Sequence, residues 1–175
     1  KDLYTGEIGR KLALEGTFAG AAWNTVPRHF TENGRRVNAD FSRLFTTYFA
    51  ALARAFIEQY PDGYLLQLHG YAREKRKTRA GSQSDIIIST GTGFPGPWVK
   101  DMDSCLEQAF AVNGGVYPLE VRELGATKTS IGIIHQHMGQ QGFLHIEMSK
   151  PIRAMMRKDV RSRKRLLTCI QKVLQ

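Results

Sequence analysis

Two short stretches of this chain carry residue types that could do acid–base or metal chemistry, and the first contains His69. This histidine directly follows the apolar run that ends at Leu68, and Gly70 and Tyr71 come after it. Its imidazole is therefore expected at the end of a buried strand, where a metal ion or a substrate could reach it. The alternative is a partly buried histidine that is hydrogen-bonded to a loop carbonyl, because His-Gly pairs are common in turns.

The second stretch covers residues 143–149. The alternation of side chains along a strand places His145 and Glu147 on one face, with apolar residues on the other. A carboxylate buried in a sheet is costly unless it is paired, so a cation, a metal-bound water or a hydrogen-bond donor is expected beside Glu147. A salt bridge to Arg153 or Arg122 would satisfy the carboxylate equally well.

Two further histidines, His135 and His137, follow the apolar run that begins at Ile131. If this run is a strand, both imidazoles lie on one face and could be a pair of metal ligands. The alternative is a polar loop that lines the cleft. We treat both histidines as lining the site and not as ligands.

Ser89 ends another apolar run and begins the segment Ser-Thr-Gly-Thr-Gly, residues 89–93. The composition resembles a loop that cradles phosphate, but the segment lacks the lysine and the spacing of a P-loop. It therefore predicts a tight connection from strand to helix, with its hydroxyls lining the site. A serine nucleophile is not supported, because the chain has no Gly-x-Ser-x-Gly elbow.

Taken in order, these segments resemble the zinc carboxypeptidase superfamily. Residues 68–71 (Leu-His-Gly-Tyr) are similar to the segment that carries the third zinc ligand, and residues 145–149 (His-Ile-Glu-Met-Ser) to the late strand with the catalytic glutamate. Residues 147–153 are similar to the Glu-Leu-Ser-x-x-Leu-Arg segment of the poly-gamma-glutamate hydrolase and N-formylglutamate amidohydrolase-like branch. Residues 23–28 lie where the superfamily places an asparagine and an arginine that hold the substrate carboxylate. The match spans roughly residues 1–153.

This resemblance implies a zinc-dependent hydrolase of amide or peptide bonds. His69 and Asp2 would bind the zinc ion, which lowers the pKa of its bound water toward ~7. Glu147 would be the catalytic base that takes the water proton and passes it to the leaving nitrogen, and Arg28 would stabilise a carboxylate or the oxyanion. The residues expected to bind substrate are Asn24, Tyr71, Ser89, His145 and Arg153.

The chain departs from the family pattern at its start. The family opens its site with a histidine followed a few residues later by an acid, whereas this sequence begins Lys1-Asp2 without an earlier histidine. We expect the first histidine ligand to lie upstream of Lys1. The alternative is a metal-free, degenerate relative that binds an anionic ligand or partner through its basic segments.

The formal net charge of +9 is concentrated in two segments. Residues 73–79 hold five basic residues against one acid, and residues 150–165 hold eight against one. Such local basicity points to an anionic substrate or surface near these segments, and it would suit a small acidic peptide or an N-acyl amino acid as the substrate of the hydrolase that the resemblance implies. Nucleic acid is an unlikely partner and ranks last, because the basic segments lack interleaved aromatic residues that stack on bases.

The order of elements predicts an α/β fold, a single three-layer domain with a mostly parallel or mixed central sheet and helices on both faces. The length of 175 residues is that of one domain, so residues 1–175 would form this domain. The composition, 42% apolar and 23% charged, is ordinary for a globular protein. The expected strands cover residues 18–25, 64–68, 86–88, 116–122 (an edge) and 143–148. The expected helices cover residues 3–14, 41–60 and 98–110, and a basic amphipathic helix at about 152–174 packs at the end of the domain.

Cys105 and Cys169 both fall among apolar neighbours on predicted helices. We expect reduced thiols that pack as small hydrophobic groups, and no disulfide framework. No apolar run approaches the ~20 residues of a membrane span. A soluble protein is therefore expected, with the cytoplasm favoured but the compartment not assigned.

Overall fold

The computed structural model describes residues 4–23, 29–38, 41–139 and 142–174 of the 175 in the chain. The predicted site residues Asp2, Asn24 and Arg28 lie outside these ranges. The elements in chain order are α1 (Thr5–Glu15), β1 (His29–Glu32), β2 (Arg35–Asn38), α2 (Tyr48–Gln59), β3 (Leu65–Gly70), α3 (Arg79–Gln83), β4 (Ile86–Ser89), α4 (Trp98–Phe110), α5 (Ser130–His137), β5 (Phe143–Met148), α6 (Lys150–Lys158) and α7 (Val160–Leu174).

In the part of the chain that is described, the larger sheet has three strands in the order β3-β5-β4. Strand β5 pairs in parallel with β3 and antiparallel with β4, so the sheet is mixed. An α/β fold with a small mixed sheet is thus confirmed. All six residues of the central strand are buried, and so are the four residues of β4.

One face of this sheet is apolar and forms the main core. Alternate residues of the three strands, such as Leu144, Ile146 and Ile88, pack there against helices α1, α4, α6 and α7. Each helix contributes residues spaced three or four apart, for example Val99, Met102 and Leu106 of α4, which is the period of an amphipathic helix. This core fixes the position and register of the strands.

The opposite face of the sheet carries Gln67, His69, Ser89, His145 and Glu147, and we call these five residues the polar face. They share a face because residues that are directly opposite on paired strands point to the same side of a sheet. Further from the carboxylate, Phe143 on this face stacks on a histidine of α5. The segment between α4 and α5 also contacts the polar face, through Gly125.

Two predicted helices are shorter than expected. The helix expected at residues 41–60 is a 3₁₀ turn at Phe41–Arg43 followed by α2, which begins after Thr47, whose hydroxyl accepts a hydrogen bond from the Ala50 N–H. The helix expected at about 152–174 is divided at Asp159. This residue has an extended backbone, and its carboxylate caps α7 by accepting hydrogen bonds from the backbone N–H groups of Arg161 and Ser162.

Two strand predictions, for residues 18–25 and 116–122, were wrong over the described residues. Residues 18–23 form no strand, and of residues 116–122 only Val116 makes an isolated bridge, to Ile88. The run from Ile131 lies in helix α5, because the Thr129 hydroxyl accepts from the Gly132 N–H and so begins a helix there.

A hairpin lies between α1 and α2. Strands β1 and β2 pair antiparallel around Asn33 and Gly34, which both have positive φ angles of 49° and 74°. Asn-Gly is the preferred pair for such a two-residue turn.

The prediction of two reduced cysteines was also wrong. Cys105 of α4 and Cys169 of α7 are joined by a disulfide across the contact between these two helices. Both residues were correctly placed on helices with apolar neighbours. Their pairing depends on how the helices pack, which the spacing of 64 residues does not reveal. Among the described residues, no helix is both long enough and apolar enough to cross a membrane.

Removing the disulfide is expected to destabilise the protein. The crosslink closes a long loop, so the double variant Cys105→Ala/Cys169→Ala should lose about 2–4 kcal/mol of unfolding free energy relative to the oxidised protein. Urea unfolding with and without a reductant measures this. The reductant should lower the midpoint of the wild type and leave that of the double variant unchanged, and an equal midpoint for the oxidised and reduced wild type would contradict the crosslink.

A buried carboxylate holds the turn after α4. Asp103 is 8% exposed and accepts a hydrogen bond from the Gly115 N–H, and Glu107 accepts one from the Gly114 N–H. Burial, followed by the nearby charges of Glu107 and Glu120, raises the pKa of Asp103 to about 7. The ionised form of Asp103 is therefore unfavourable in the folded protein.

The stability of the protein should consequently depend on pH through Asp103. Its folded-state pKa lies above the unfolded value, so the contribution of this group is greatest at low pH and is lost as the pH rises from about 4 to about 7. Asp103→Asn should raise the unfolding free energy at pH 8 by a few kcal/mol, since one pKa unit corresponds to about 1.4 kcal/mol. Urea unfolding at pH 5 and pH 8 measures it, and a gain that is no larger at pH 8 than at pH 5 would refute this account.

Candidate functional site

The polar face brings together the two stretches that the sequence singled out. His69 on β3 is the register partner of Glu147 on β5, and Gln67 is the partner of His145. The side chains of His69 and Glu147 therefore lie side by side on one face of neighbouring strands. On the other side of β5, Ser89 of β4 is the partner of His145. An imidazole, a carboxylate and a hydroxyl are thus gathered on three adjacent strands.

His145 is the centre of this group. Its ring centroid is 5.4 Å from that of His69, and its Nε2 atom is 3.7 Å from Oε1 of Glu147. Its Nδ1 atom is 3.1 Å from the hydroxyl of Ser89. His145 is 2% exposed and Glu147 is 8% exposed, whereas His69 on the edge strand is half-buried. His69 is therefore the most solvent-accessible of these three residues.

A loop with unusual backbone angles covers the polar face. The Ser89 hydroxyl donates to the carbonyl of Gly125 at 2.9 Å. On either side of this glycine, Leu124 and Ala126 have φ angles of 64° and 55°, which side chains with a Cβ rarely adopt. Such conformations cost about 1–3 kcal/mol each and concentrate at functional sites. The surrounding contacts must hold this loop in place above the sheet.

Two predicted substrate-binding residues are engaged within the protein. The Tyr71 hydroxyl donates to the Ser84 carbonyl at 2.5 Å, and burial raises the pKa of this buried tyrosine. Arg153 is 3% exposed and donates to the carbonyls of Tyr71 and Met148, at the ends of β3 and β5. It lies against Gly70, where a Cβ would collide with the guanidinium. These contacts join strand ends to α6.

The basic segment after β3 is anchored by one glutamate. The carboxylate of Glu123 accepts hydrogen bonds from the backbone N–H groups of Lys77 and Thr78 and from the Thr78 hydroxyl, and it pairs with Arg76. Burial would raise the pKa of Glu123, but the hydrogen bonds from Thr78 and Lys77 hold it below its usual value. Lys75, Lys77 and Arg79 remain exposed on this segment.

Many of the other basic residues are already paired with acids. Arg73 pairs with Asp85, Arg157 with Glu7, and Arg163 with Glu15. The positive charge that the sequence placed in residues 150–165 is thus partly neutralised by α1. Exposed cations follow the sheet end at which His69 lies, namely Lys75, Lys77 and Arg79 after β3 and Lys150 after β5.

His135 and His137 do not form a pair, because α5 is a helix and directs them to different surroundings. His135 is 1% exposed, stacks on Phe143 with ring centroids 5.1 Å apart, and makes no hydrogen bond through either ring nitrogen to any described residue. Burial lowers its pKa to about 4, so it is neutral near pH 7. His137 is exposed and lines a cavity of about 450 Å³ together with Arg54 and Phe45.

The described residues do not complete a metal site. Within residues 4–23, 29–38, 41–139 and 142–174, no group of three or more histidine, cysteine, aspartate or glutamate side chains is placed to hold a metal ion. Catalytic zinc is usually held by three protein ligands. His69 lies beside Glu147, and the other predicted ligand, Asp2, lies outside the described residues.

Sequence reasoning missed several residues that shape this region. Gly125 accepts a hydrogen bond from Ser89 on the polar face, and Glu123 holds the basic segment after β3, but neither residue has a local pattern that points to this role. The Thr129 cap of α5 did have a signal, because a threonine before an apolar run is a typical helix start. A helix predicted from that signal would have placed His135 and His137 in different surroundings.

Comparisons of the chain with models of protein families, with curated proteins and with solved structures gave no match. The likeness to zinc carboxypeptidases therefore stays a prediction that rests on the short motifs and their order.

Loss of the Glu123 anchor should open the basic segment. Hydrogen bonds to charged groups contribute about 1.5–3 kcal/mol each, so Glu123→Ala should raise the rate of tryptic cleavage within residues 73–79 about tenfold or more. Limited proteolysis followed by mass spectrometry measures the rate and the cut position. Glu74→Ala, which removes an exposed acid from the same segment, is the control and should cleave at about the wild-type rate. Equal rates for both variants would show that Glu123 is not the anchor.

Proposed function

We propose that the chain is a hydrolase of an amide or peptide bond in a carboxylate-bearing substrate, and that its active site is the polar face. The observation that carries this proposal is the register pairing of His69 with Glu147, which sets an imidazole and a carboxylate side by side. Both residues come from the segments that resemble the zinc carboxypeptidases. A three-layer arrangement of that kind is part of the proposal.

In this proposal Glu147 is the general base. The carboxylate takes a proton from a water molecule as the water oxygen attacks the scissile carbonyl, and the proton then passes to the leaving nitrogen. Its position in the central strand favours this role, because a carboxylate that is 8% exposed needs a partner and His145 lies 3.7 Å from it. The half-buried His69 leaves an approach from the edge strand.

The cofactor that we propose is zinc, with His69 and Asp2 as ligands. The described residues do not supply the full set of ligands. Arg28 as a second catalytic residue, and Asn24 as a substrate-binding residue, also remain proposals. Measured metal content tests this part independently of activity.

The substrate class is proposed from the positive charge of the segment that follows β3. Lys75, Lys77 and Arg79 are exposed on the segment that follows β3, and Glu123 holds this segment in place. Cations at this end would attract a substrate that carries carboxylates. Small acidic peptides and N-acyl amino acids such as acylated glutamate fit that requirement.

A second candidate is a metal-free relative that binds an anionic ligand without hydrolysing it. Two observations favour it: the described residues contain no metal-binding group of three side chains, and the cations after β3 are exposed. The two candidates differ in zinc content and in product formation, whereas both allow acidic ligands to bind.

Glu147→Gln is expected to reduce hydrolysis at least 100-fold, since a general base contributes about 10²–10⁴-fold to the rate. The assay measures amine release from N-acylglutamates and γ-glutamyl peptides, with N-acyl-lysine as a substrate of the wrong charge. Glu58→Gln, which changes an exposed glutamate on α2, is the matched control and should keep wild-type activity. Full activity of the Glu147 variant would refute its assigned role.

Zinc content separates the two candidates. Elemental analysis should find about one zinc ion per chain in the wild type and in Glu147→Gln, and clearly less in His69→Ala. A folded wild type that holds no zinc, releases no amine and still binds a glutamate oligomer in a salt-dependent manner would favour the second candidate.

A further inference from the structure

A chain of two hydrogen bonds runs from a covering loop to the centre of the polar face. Ser89 donates to the Gly125 carbonyl at 2.9 Å and lies 3.1 Å from Nδ1 of His145. We infer that Ser89 is a positioning residue that holds His145 with its proton on Nδ1 and directs Nε2 toward Glu147. In this role Ser89 acts through His145 and does not itself bind the substrate.

The assignment of the proton follows from the chemistry of the groups. A serine hydroxyl has one proton, and a carbonyl oxygen can only accept, so the Ser89 proton points to Gly125. Toward His145 the hydroxyl oxygen can then only accept, and Nδ1 must be the donor. In a neutral imidazole, which carries one N–H, the nitrogen that faces Glu147 is therefore the acceptor Nε2.

Burial makes this arrangement specific. Ser89 is fully buried and His145 is 2% exposed, so water cannot readily replace either hydrogen bond. The Gly125 carbonyl is aimed at Ser89 by a loop in which Leu124 and Ala126 adopt left-handed angles. These angles are uncommon for residues with a Cβ, which indicates that the position of this carbonyl is held by the fold.

The consequence for the reaction rests on the proposed hydrolase function. The water oxygen bonds to the carbonyl carbon, the carbon–nitrogen bond breaks, and the water proton reaches the leaving nitrogen through Glu147. Nε2 is the acceptor nitrogen nearest Oε1, at 3.7 Å, so His145 can accept the proton that Glu147 has taken once the two atoms approach to hydrogen-bonding distance. No further reactant is needed. An imidazole that already carries its proton on Nε2 could not accept the proton of Glu147 at that nitrogen.

Nitrogen NMR of the whole protein with labelled histidine tests the proton position directly. His145 is one of five histidines and is assigned by the signal that His145→Asn removes. At pH 8 the wild type and Ser89→Thr should show a protonated Nδ1 and an unprotonated Nε2. Ser89→Ala should shift the ring toward the other tautomer, while Ser84→Ala, which removes another buried hydroxyl that donates to carbonyls, should leave it unchanged.

Three NMR results would overturn the inference: a wild-type ring with its proton on Nε2, a ring protonated on both nitrogens, or a folded Ser89→Ala protein with an unchanged tautomer. Kinetics supply a separate readout. In Ser89→Ala the kcat should fall about 10-fold or more with little change in KM, as for other groups that orient a histidine, and Ser89→Thr should restore it. An unchanged kcat would overturn the role in the reaction, whereas a wild type without activity would sink only the proposed function.

Discussion

Strand β5 is hydrogen-bonded on both sides, and all six of its residues are buried. Any polar side chain on this strand must find its partner inside the protein, because water does not reach it freely. His145 and Glu147 both lie on β5 and meet this requirement in part through each other, at 3.7 Å. On the neighbouring strands, Gln67 and Ser89 lie opposite His145, and His69 lies opposite Glu147, whose other neighbour is Ile87.

The two faces of the sheet differ in their residues and in what they contact. The apolar face packs against α1, α4, α6 and α7, and the disulfide between Cys105 and Cys169 ties two of these helices together. This rigid side holds the strands in register. The polar face can then carry groups whose separation must stay fixed for acid–base chemistry, because their supporting strands do not have to move.

Electrostatics in this protein depends on pairing more than on composition. Of the basic residues in the terminal segment, Arg157 and Arg163 are bound to carboxylates of α1, and Arg153 donates to two carbonyls. These arginines hold elements together. The exposed cations after β3 are different, since Glu123 anchors the backbone of their segment and leaves the charges facing solvent. A net charge of +9 therefore overstates the field that a substrate would meet.

The sequence by itself determined the features that depend on local periodicity. The alternation of side chains predicted strand β5 with His145 and Glu147 on one face, and apolar runs predicted β3 and β4. Periodicity alone did not locate the starts of α5 and α7, which are set by single capping residues, Thr129 and Asp159, whose signals are local but lie outside the apolar pattern. Only the tertiary structure placed His69 beside Glu147, Ser89 against His145, and Cys105 on Cys169. Each of these contacts joins residues more than 50 positions apart, and the packing of helices and strands brings them together where no local pattern records it.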